Sequence, residues 1–310
     1  MAIIKTENLH KYFGKVKALD GVDLEVNEGE VYGFIGPNGA GKSTAIRVLL
    51  GILKPTAGRA TIFGEDVWQN AVEIHKRIAY VPGDVNLWPN LSGGEVIDLF
   101  VRMKKDHNRK YREELIERFD FDPSKKCGTY SKGNRQKVAL IAALSSDADL
   151  YILDEPTSGL DPLMEIVFQE CVRKVKAEGK TVFLSSHILS EVEQLCDRIS
   201  IIRQGRVIDS GSMNELRHLT RNNVKVEARM PLGELAGMDG VHGFREEKGA
   251  AMFRMDNNRT ESVMNFLAGK GVTHIVSAPP TLEELFMSHY GGEQAAGTGT
   301  ATATAGDDRR

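Results

Sequence analysis

Short apolar runs alternate with amphipathic segments over the first 215 residues of the chain. Each apolar run is short enough for a strand that is buried on both faces: residues 31–35, 78–81, 150–153 and 181–186. In the segments between them, apolar residues recur at helical spacing, as in residues 44–50, 135–144, 161–179 and 188–196. Strands that alternate with helices predict an α/β fold built on a mainly parallel sheet.

The pattern changes near Asn222. Strand-like runs follow at residues 224–228, 243–247, 251–255 and 272–276, with an amphipathic helix at about 260–267. We therefore expect a small α+β domain of split β-α-β type over residues 222–290. Residues 291–310 are rich in glycine, threonine and alanine and too poor in large apolar side chains to form a core, which predicts a disordered tail.

A glycine-rich segment directly follows the first apolar run. It fits the phosphate-loop pattern G-x-x-x-x-G-K-[ST] and consists of Gly36, Pro37, Asn38, Gly39, Ala40, Gly41, Lys42, Ser43 and Thr44. Glycines let the backbone wrap around a polyphosphate and direct N–H groups at it, while the helix that follows presents its positive end. Lys42 would reach the outer phosphates, and the Ser43 hydroxyl would bind Mg²⁺. A strand before the segment and a helix after it favour nucleotide binding over an ordinary glycine-rich turn.

Two carboxylates stand at the end of the apolar run 150–153. In a parallel sheet, ligands bind at the carboxyl ends of the strands, where the phosphate loop also lies. Asp154 is therefore suited to a Mg²⁺ ion held by that loop, directly or through water. Glu155 is suited to polarising an attacking water molecule as a general base. The alternative is a pair of acids that cap the next turn, which the upstream phosphate loop disfavours.

Composition narrows the classes of function. Lys and Arg total 40 against 43 Asp and Glu, so the formal net charge of −3 argues against a broadly basic nucleic-acid-binding surface. The cysteines lack C-x-x-C spacing, which argues against a structural metal site and suits a reducing compartment. Apolar runs are too short to cross a bilayer, and the first residues lack the apolar core of a signal peptide. We expect a cytoplasmic protein that reaches a membrane only through a partner.

The segment DEPTSGLDP, residues 154–162, resembles the acidic strand and the adjoining D-loop of the ATP-binding cassette (ABC) ATPases. The resemblance covers about residues 3–215 in the family's order of motifs. It implies a P-loop ABC ATPase core over residues 1–215, in which an antiparallel β subdomain and a helical subdomain, at about residues 86–145, accompany the parallel sheet. It also implies ATP and Mg²⁺ as cofactors, and a head-to-tail dimer in which each site is completed by a signature motif from the other subunit.

Two segments compete for that signature motif. Residues 91–95, LSGGE, look almost like the family's LSGGQ, but a whole helical segment still separates them from Asp154. The family's signature opens the helix that leads directly into the acidic strand, and residues 130–136, YSKGNRQ, have that position although Lys132 departs from the commonest residue. We therefore assign the signature to the second segment, where Ser131 and Gly133 would face the partner's terminal phosphate, and interpret the first as the turn that starts a helix.

The resemblance assigns three further residues. His187 matches the switch histidine that contacts the terminal phosphate and holds Glu155 and water in place. Phe13 matches the aromatic residue that stacks on the adenine, with a place in the core as the alternative and Tyr12 as a substitute. Asp161 lies in the D-loop, among the residues expected at the nucleotide, and also suits the cap of the following helix.

One position departs from the family pattern. The family usually has a glutamine after the segment that corresponds to residues 80–82, where it senses Mg²⁺ and couples the site to the permease. This chain has Gly83 followed by Asp84. Because glycine has no side chain to bind a metal, either Asp84 or water takes that role, or the coupling runs differently.

The resemblance implies the ATP-hydrolysing subunit of an ABC transporter. Such a subunit dimerises on ATP, with itself or with a paired ATPase subunit, and drives a separate permease from the inner face of the cell membrane. Residues 278–286 resemble the end of subunits that pair with exporter-type permeases, including drug-resistance exporters.

The alternative is a soluble ABC ATPase that acts on ribosomes or DNA. A single cassette, with neither a long heptad run nor zinc-type cysteine pairs, disfavours that class. A P-loop kinase or a switch without turnover would need an acceptor site where the signature-like helix start stands.

Overall fold

The computed structural model describes residues 1–103, 109–218, 221–247, 249–279 and 281–284. The chain divides into two compact units, residues 1–213 and 214–310. The tail predicted at residues 291–310 lies outside the described residues.

Strands of the first unit form two sheets. In chain order they are β1 (Ala2–Phe13), β2 (Val16–Asn27), β3 (Val31–Ile35), β4 (Ala57–Ile62), β5 (Glu65–Asp66), β6 (Ile78–Val81), β7 (Leu150–Asp154), β8 (Thr181–Ser186), β9 (Arg198–Arg203) and β10 (Arg206–Ser212). One sheet has the order β10-β9-β3-β8-β7-β6 and is parallel except at β10. The other, β2-β1-β4-β5, is antiparallel. The mainly parallel sheet and the antiparallel β subdomain were both predicted.

Burial explains which strands lie at the centre. Every residue of β3, β7 and β8 is buried, as expected for apolar strands with helices on both faces of the sheet. The Phe183 ring of β8 packs 6.1 Å from the ring of Tyr32 and 5.6 Å from that of Phe34, centroid to centroid. These three aromatic side chains are fully buried and join β3 to β8.

Most of the helices follow the sequence pattern. In chain order they are α1 (Lys42–Leu49), α2 (Ala71–Arg77), α3 (Gly93–Arg102), α4 (Arg109–Arg118), α5 (Lys132–Leu144), α6 (Pro162–Ala177), α7 (Leu189–Leu195), α8 (Met213–His218) and α9 (Thr260–Ala268). Helices α2 and α8 were not predicted. In α2, Ile74 is the one buried residue, so no apolar stripe marks that helix. Within the described parts of the chain, no helix has the length and apolar character needed to cross a membrane.

The second unit contains an antiparallel sheet and the helix α9. Its strands are β11 (Asn222–Ala228), β12 (Val241–Glu247), β13 (Ala250–Met255) and β14 (Val272–Ala278), in the order β12-β13-β11-β14. Because β11 pairs antiparallel with both β13 and β14, these two run parallel to each other and are joined through α9. This is the predicted split β-α-β arrangement. Val226, Phe253 and Val263 belong to its own apolar core.

Removing the central aromatic ring should destabilise the first unit. We expect Phe183→Ala to lower the free energy of unfolding by about 3–5 kcal/mol, because it leaves a cavity between β3 and β8. The control Ile166→Ala, on the exposed face of α6 with 51% of the residue exposed, should change it by no more than about 0.5 kcal/mol. Urea titration followed by circular dichroism measures both, and equal losses for the two variants would contradict this packing.

Candidate functional site

The phosphate loop lies between β3 and α1, as its pattern predicts. Gly41 directly precedes α1 with a φ of +114°, which L side chains rarely adopt. Gly36 lies so close to β9 that a β-carbon there would collide with the carbonyl oxygen of Ile202. The path of the loop therefore requires both glycines. Lys42 is buried, and its ammonium donates to the carbonyl oxygens of Gly36, at 2.7 Å, and Pro37, at 3.3 Å.

A pocket of about 330 Å³ opens over this loop. Its walls come from the loop and the start of α1, from the segment after β7, from the start of β2, and from the turn that joins β9 to β10. The lining residues are Val16, Lys17, Ala18, Asn38, Gly39, Gly41, Lys42, Ser43, Thr44, Glu155, Gln204 and Gly205. The loop and Glu155 were predicted from the sequence. The start of β2 and the turn at residues 204–205 were not, since neither carries a local mark of a ligand-binding wall.

Phe13, the predicted adenine-stacking residue, ends β1 next to this pocket without lining it. Its register partner on β2 is Val16, which does line the pocket. The residue is 48% exposed, and Lys11 Nζ lies 5.1 Å from the centroid of its ring. An aromatic ring as exposed as this is not part of the core, so the position remains suited to stacking on a base.

Asp154 is held at the end of β7 by the neighbouring strand. It is buried and pairs in register with Ser185 of β8, whose hydroxyl donates to Asp154 Oδ1 at 2.5 Å. The other carboxylate oxygen faces Gly83, because a β-carbon built on that glycine would lie 3.6 Å from Asp154 Oδ2. Asp84 is exposed, and its Oδ2 accepts a hydrogen bond from Asn86 at 3.3 Å.

Glu155 joins the phosphate loop to the segment after β8. Its φ of +47° lies in the left-handed region, and its N–H donates to the carbonyl oxygen of Ser185 at 3.0 Å. One carboxylate oxygen, Oε1, lies 3.4 Å from Lys42 Nζ. The other, Oε2, lies 3.3 Å from His187 Nδ1. The structure therefore brings Lys42, Glu155 and His187 together, as the sequence predicted.

The oxygen donors at this edge of the sheet fit a magnesium ion. Ser43 lies in the first turn of α1 with an exposed side chain, and Asp154 presents Oδ2 toward Gly83. Mg²⁺ is usually held by one or two carboxylates together with water and substrate phosphates. The described residues contain no cluster of three or more His, Cys, Asp or Glu side chains that could hold a metal.

The predicted signature segment starts α5. Ser131 caps this helix by accepting a hydrogen bond from a backbone N–H of the first turn at 3.3 Å. Gly133 packs on the backbone of the D-loop, where a β-carbon would collide with the carbonyl oxygen of Gly159. Lys132 Nζ donates to Ser158 Oγ at 2.7 Å. Lys132, which departs from the family pattern, thus forms a hydrogen bond to the D-loop of its own chain.

Residues 91–95, the segment that was not assigned to the signature, start a helix. This confirms the prediction that they form a helix-starting turn. Ser92 and Glu95 form a reciprocal capping box at the start of α3. The N–H groups of Gly93 and Gly94 donate to carbonyl oxygens of the segment 123–125, at 3.1 and 2.8 Å. These backbone donors are therefore already used inside the protein. Both glycines are buried.

Asp161 caps α6. Its Oδ1 accepts from the N–H groups of Leu163 and Met164, at 3.1 Å each, and Pro162 follows at the first helical position. The predicted cap is confirmed, and contact of this residue with a nucleotide stays a prediction.

Two family models match the chain. The model described as "ABC transporter" matches residues 19–158, which include the phosphate loop, Asp154 and Glu155. The model described as "ATP-binding protein DrrA1-3-like, C-terminal domain" matches residues 211–290.

Two curated exporter relatives match over nearly their whole length. The chain is 34% identical to the daunorubicin resistance ATP-binding protein DrrA3 of Streptomyces coeruleorubidus, over 94% of this chain and 96% of that protein. It is 32% identical to the Nod factor export ATP-binding protein I of a Rhizobium species, over 94% of this chain and 97% of that protein.

Among solved structures, an ATP-binding cassette in a dimeric post-hydrolysis state, bound to ADP and phosphate, matches with a TM-score of 0.62 at 25% identity. The match covers 68% of this chain and 98% of that one. On these similarities the chain belongs to the ATP-binding proteins of the ABC transporter family, whose cassettes bind ATP and act as ATPases.

Proposed function

We propose that this chain is the ATP-hydrolysing subunit of an exporter whose membrane permease is a separate chain. The observation that carries the proposal is the position of the Glu155 carboxylate, 3.4 Å from Lys42 Nζ and 3.3 Å from His187 Nδ1. A general base thus lies between a phosphate-binding cation and a polar switch residue. Relatives named for daunorubicin resistance and Nod factor export support export as the process that hydrolysis drives.

The chemistry follows from these positions. The N–H groups of the phosphate loop and the Lys42 ammonium bind the phosphates of ATP. Ser43 and Asp154 hold Mg²⁺, which when bound neutralises charge that develops on the phosphate oxygens. Glu155 accepts the proton of the attacking water, and His187 holds Glu155 in the orientation that this transfer needs. Phe13 supplies a flat surface for the adenine.

Gly83 shapes the metal side of the site. Since this glycine leaves space beside Asp154 Oδ2, while Asp84 is exposed and bonded to Asn86, we assign the neighbouring metal ligand to water rather than to Asp84. Coupling to the permease then depends on the backbone after β6 rather than on a glutamine side chain.

A second copy of the chain completes the site in this proposal. Ser131 and Gly133 are not among the residues that line the pocket over their own phosphate loop. The start of α5 instead supplies a hydroxyl and N–H groups to the terminal phosphate held by the partner. The dimeric state of the solved cassette bound to ADP and phosphate supports this arrangement, as does the D-loop position of Asp161.

An apolar groove is the proposed docking site of the permease. It holds about 350 Å³ between β6, the end of α3 and α5, with Tyr80, Pro82, Phe100, Met103 and Ala139 among its lining residues. Phe100 is 44% exposed, so large apolar side chains face solvent there. Pro82, which lines the groove, directly precedes the glycine that faces Asp154, and this connects the groove to the metal site.

The occupant is therefore a cytoplasmic segment of the permease that presents apolar side chains. Since no helix of the described residues can cross a membrane, such docking would hold the chain on the inner face of the membrane as a peripheral cytoplasmic protein.

Replacing the base should separate binding from turnover. Glu155→Gln keeps the shape of the side chain but cannot accept the proton, so we expect phosphate release to fall about 10²- to 10⁴-fold. ATP should still bind, and the variant should run as a dimer in gel filtration with ATP. A Glu155→Gln protein that retains full turnover would contradict the assigned base.

The N-cap serines of α5 and α3 allow a matched test of which segment is the signature. Ser131→Ala and Ser92→Ala each remove one N-cap, at a similar cost of about 1 kcal/mol in stability. Only Ser131→Ala should also lower the ATPase rate, by about tenfold or more, because it alone removes a group from the terminal phosphate. Loss of ATPase activity in Ser92→Ala alone would place the signature at the other segment.

A charge in the groove should release the chain from its permease. Phe100→Glu should abolish binding to membrane vesicles of the source organism that have been stripped with urea, because docking would bury the new carboxylate. Leu163→Glu, at a 70% exposed position on α6, is the control and should bind like the wild type in co-sedimentation. Unchanged binding of Phe100→Glu would exclude this groove as the docking site.

A further inference from the structure

A buried carboxylate that the proposed mechanism does not use lies behind the site. Glu191 of α7 is 6% exposed, and its Oε2 accepts hydrogen bonds from Ser186 Oγ at 3.0 Å and Thr157 Oγ1 at 3.2 Å. Its Oε1 is buried without a hydrogen-bond partner in the described part of the chain. Burial raises the pKa of the carboxyl to about 7, against the hydrogen bonds from Ser186 and Thr157.

The two hydroxyls belong to the segments that carry the catalytic groups. Thr157 lies two residues after Glu155, at the start of the D-loop, and Ser186 directly precedes His187. One carboxylate oxygen therefore joins the segment of the base to the segment of the switch histidine. The Ser186 hydroxyl also accepts from the N–H of Ile188 at 2.9 Å, so the turn on both sides of His187 is fixed to the same point.

The base needs such support, because its own backbone is in a sparsely populated conformation. A non-glycine residue with a φ of +47° is retained only when the surrounding structure determines it. The N–H of Glu155 is bonded to Ser185 on one side. On the other side Thr157 is the next hydroxyl along the chain, and its bond to Glu191 fixes the path of the backbone after the base.

Stability alone does not account for this side chain. A buried carboxylate with one unpaired oxygen costs free energy, and a well-packed apolar residue of similar volume is often neutral or stabilising in such a place. We propose that Glu191 is a positioning residue, which sets the Glu155 carboxylate against His187 by bridging Thr157 and Ser186.

This inference rests on the proposed ATPase function and is tested on the full chain by kcat, KM for ATP and Tm. In Glu191→Leu, kcat should fall about tenfold to a hundredfold, as small misplacements of a catalytic group do, while KM stays within about twofold and Tm does not fall. Glu191→Gln keeps an acceptor oxygen and should restore kcat to within about threefold of the wild type.

Thr157→Val removes one of the bridged hydroxyls without changing volume, and its kcat should fall as well. Combining it with Glu191→Leu should cost no more than the larger single effect, because both remove the same link. Thr181→Val is the matched control, since Thr181 is equally buried and its hydroxyl accepts from the N–H of Gly29, away from the site. Its kcat should match the wild type.

Wild-type kcat in Glu191→Leu would overturn the inference. So would a loss of kcat that comes with a change in KM beyond about twofold and a fall in Tm. If Glu191→Leu does not fold, Thr157→Val decides, and an unchanged kcat there overturns it. Glu155→Gln in the same assay separates the two levels. Full turnover of Glu155→Gln refutes the proposed function. If Glu155→Gln is inactive while Glu191→Leu and Thr157→Val are fully active, only the positioning role is refuted.

Discussion

Adjacent parallel strands end at the same edge of their sheet, and this constraint assembles the site. In the order β3, β8, β7, the three strands lead into the phosphate loop, His187 and the pair Asp154–Glu155. All three are buried along their whole length, so the core fixes their register. A slip of one residue in β7 would break the bond between Asp154 and Ser185 and turn the carboxylate to the other face. The packing of apolar strands thus determines where the polar chemistry takes place.

The D-loop, residues 156–161, connects two parts of the chain that would serve different sites in a dimer. On one side α5 holds it through Lys132, and the buried Gln136 donates to the carbonyl oxygen of Pro156 at 2.9 Å. On the other side Glu191 holds Thr157. The helix start proposed to contact the partner's nucleotide is therefore bonded to the segment that follows the chain's own Glu155. Such a link gives nucleotide binding at one site a direct route to the catalytic base of the other.

Most of the side chains at this site could be predicted from the sequence, because each lies next to a local pattern such as a glycine-rich loop or a short apolar run. The phosphate loop needs glycines at set positions, and Asp154, Glu155 and His187 each follow a short run of the length expected for a buried strand. What it missed depends on contacts between distant segments. Helix α2 has no apolar stripe. The turn at residues 204–205 lines the pocket because strand β9, which precedes it, pairs with β3 in the sheet. Glu191 lies four residues before the buried Leu195 on α7, a spacing that marks the buried face, but its partners are set by the fold.

The central claim is that one chain supplies the phosphate loop and a second copy the signature, and mixing two inactive variants tests it most directly. Lys42→Ala disables only the phosphate loop, and Ser131→Glu places a negative charge where the partner's phosphate would lie. Each alone should show no ATPase activity. Mixed in equal amounts, half of the dimers hold one intact composite site, so the account predicts recovery of about a quarter of the wild-type rate. A mixture as inactive as its components would contradict a site shared between two copies.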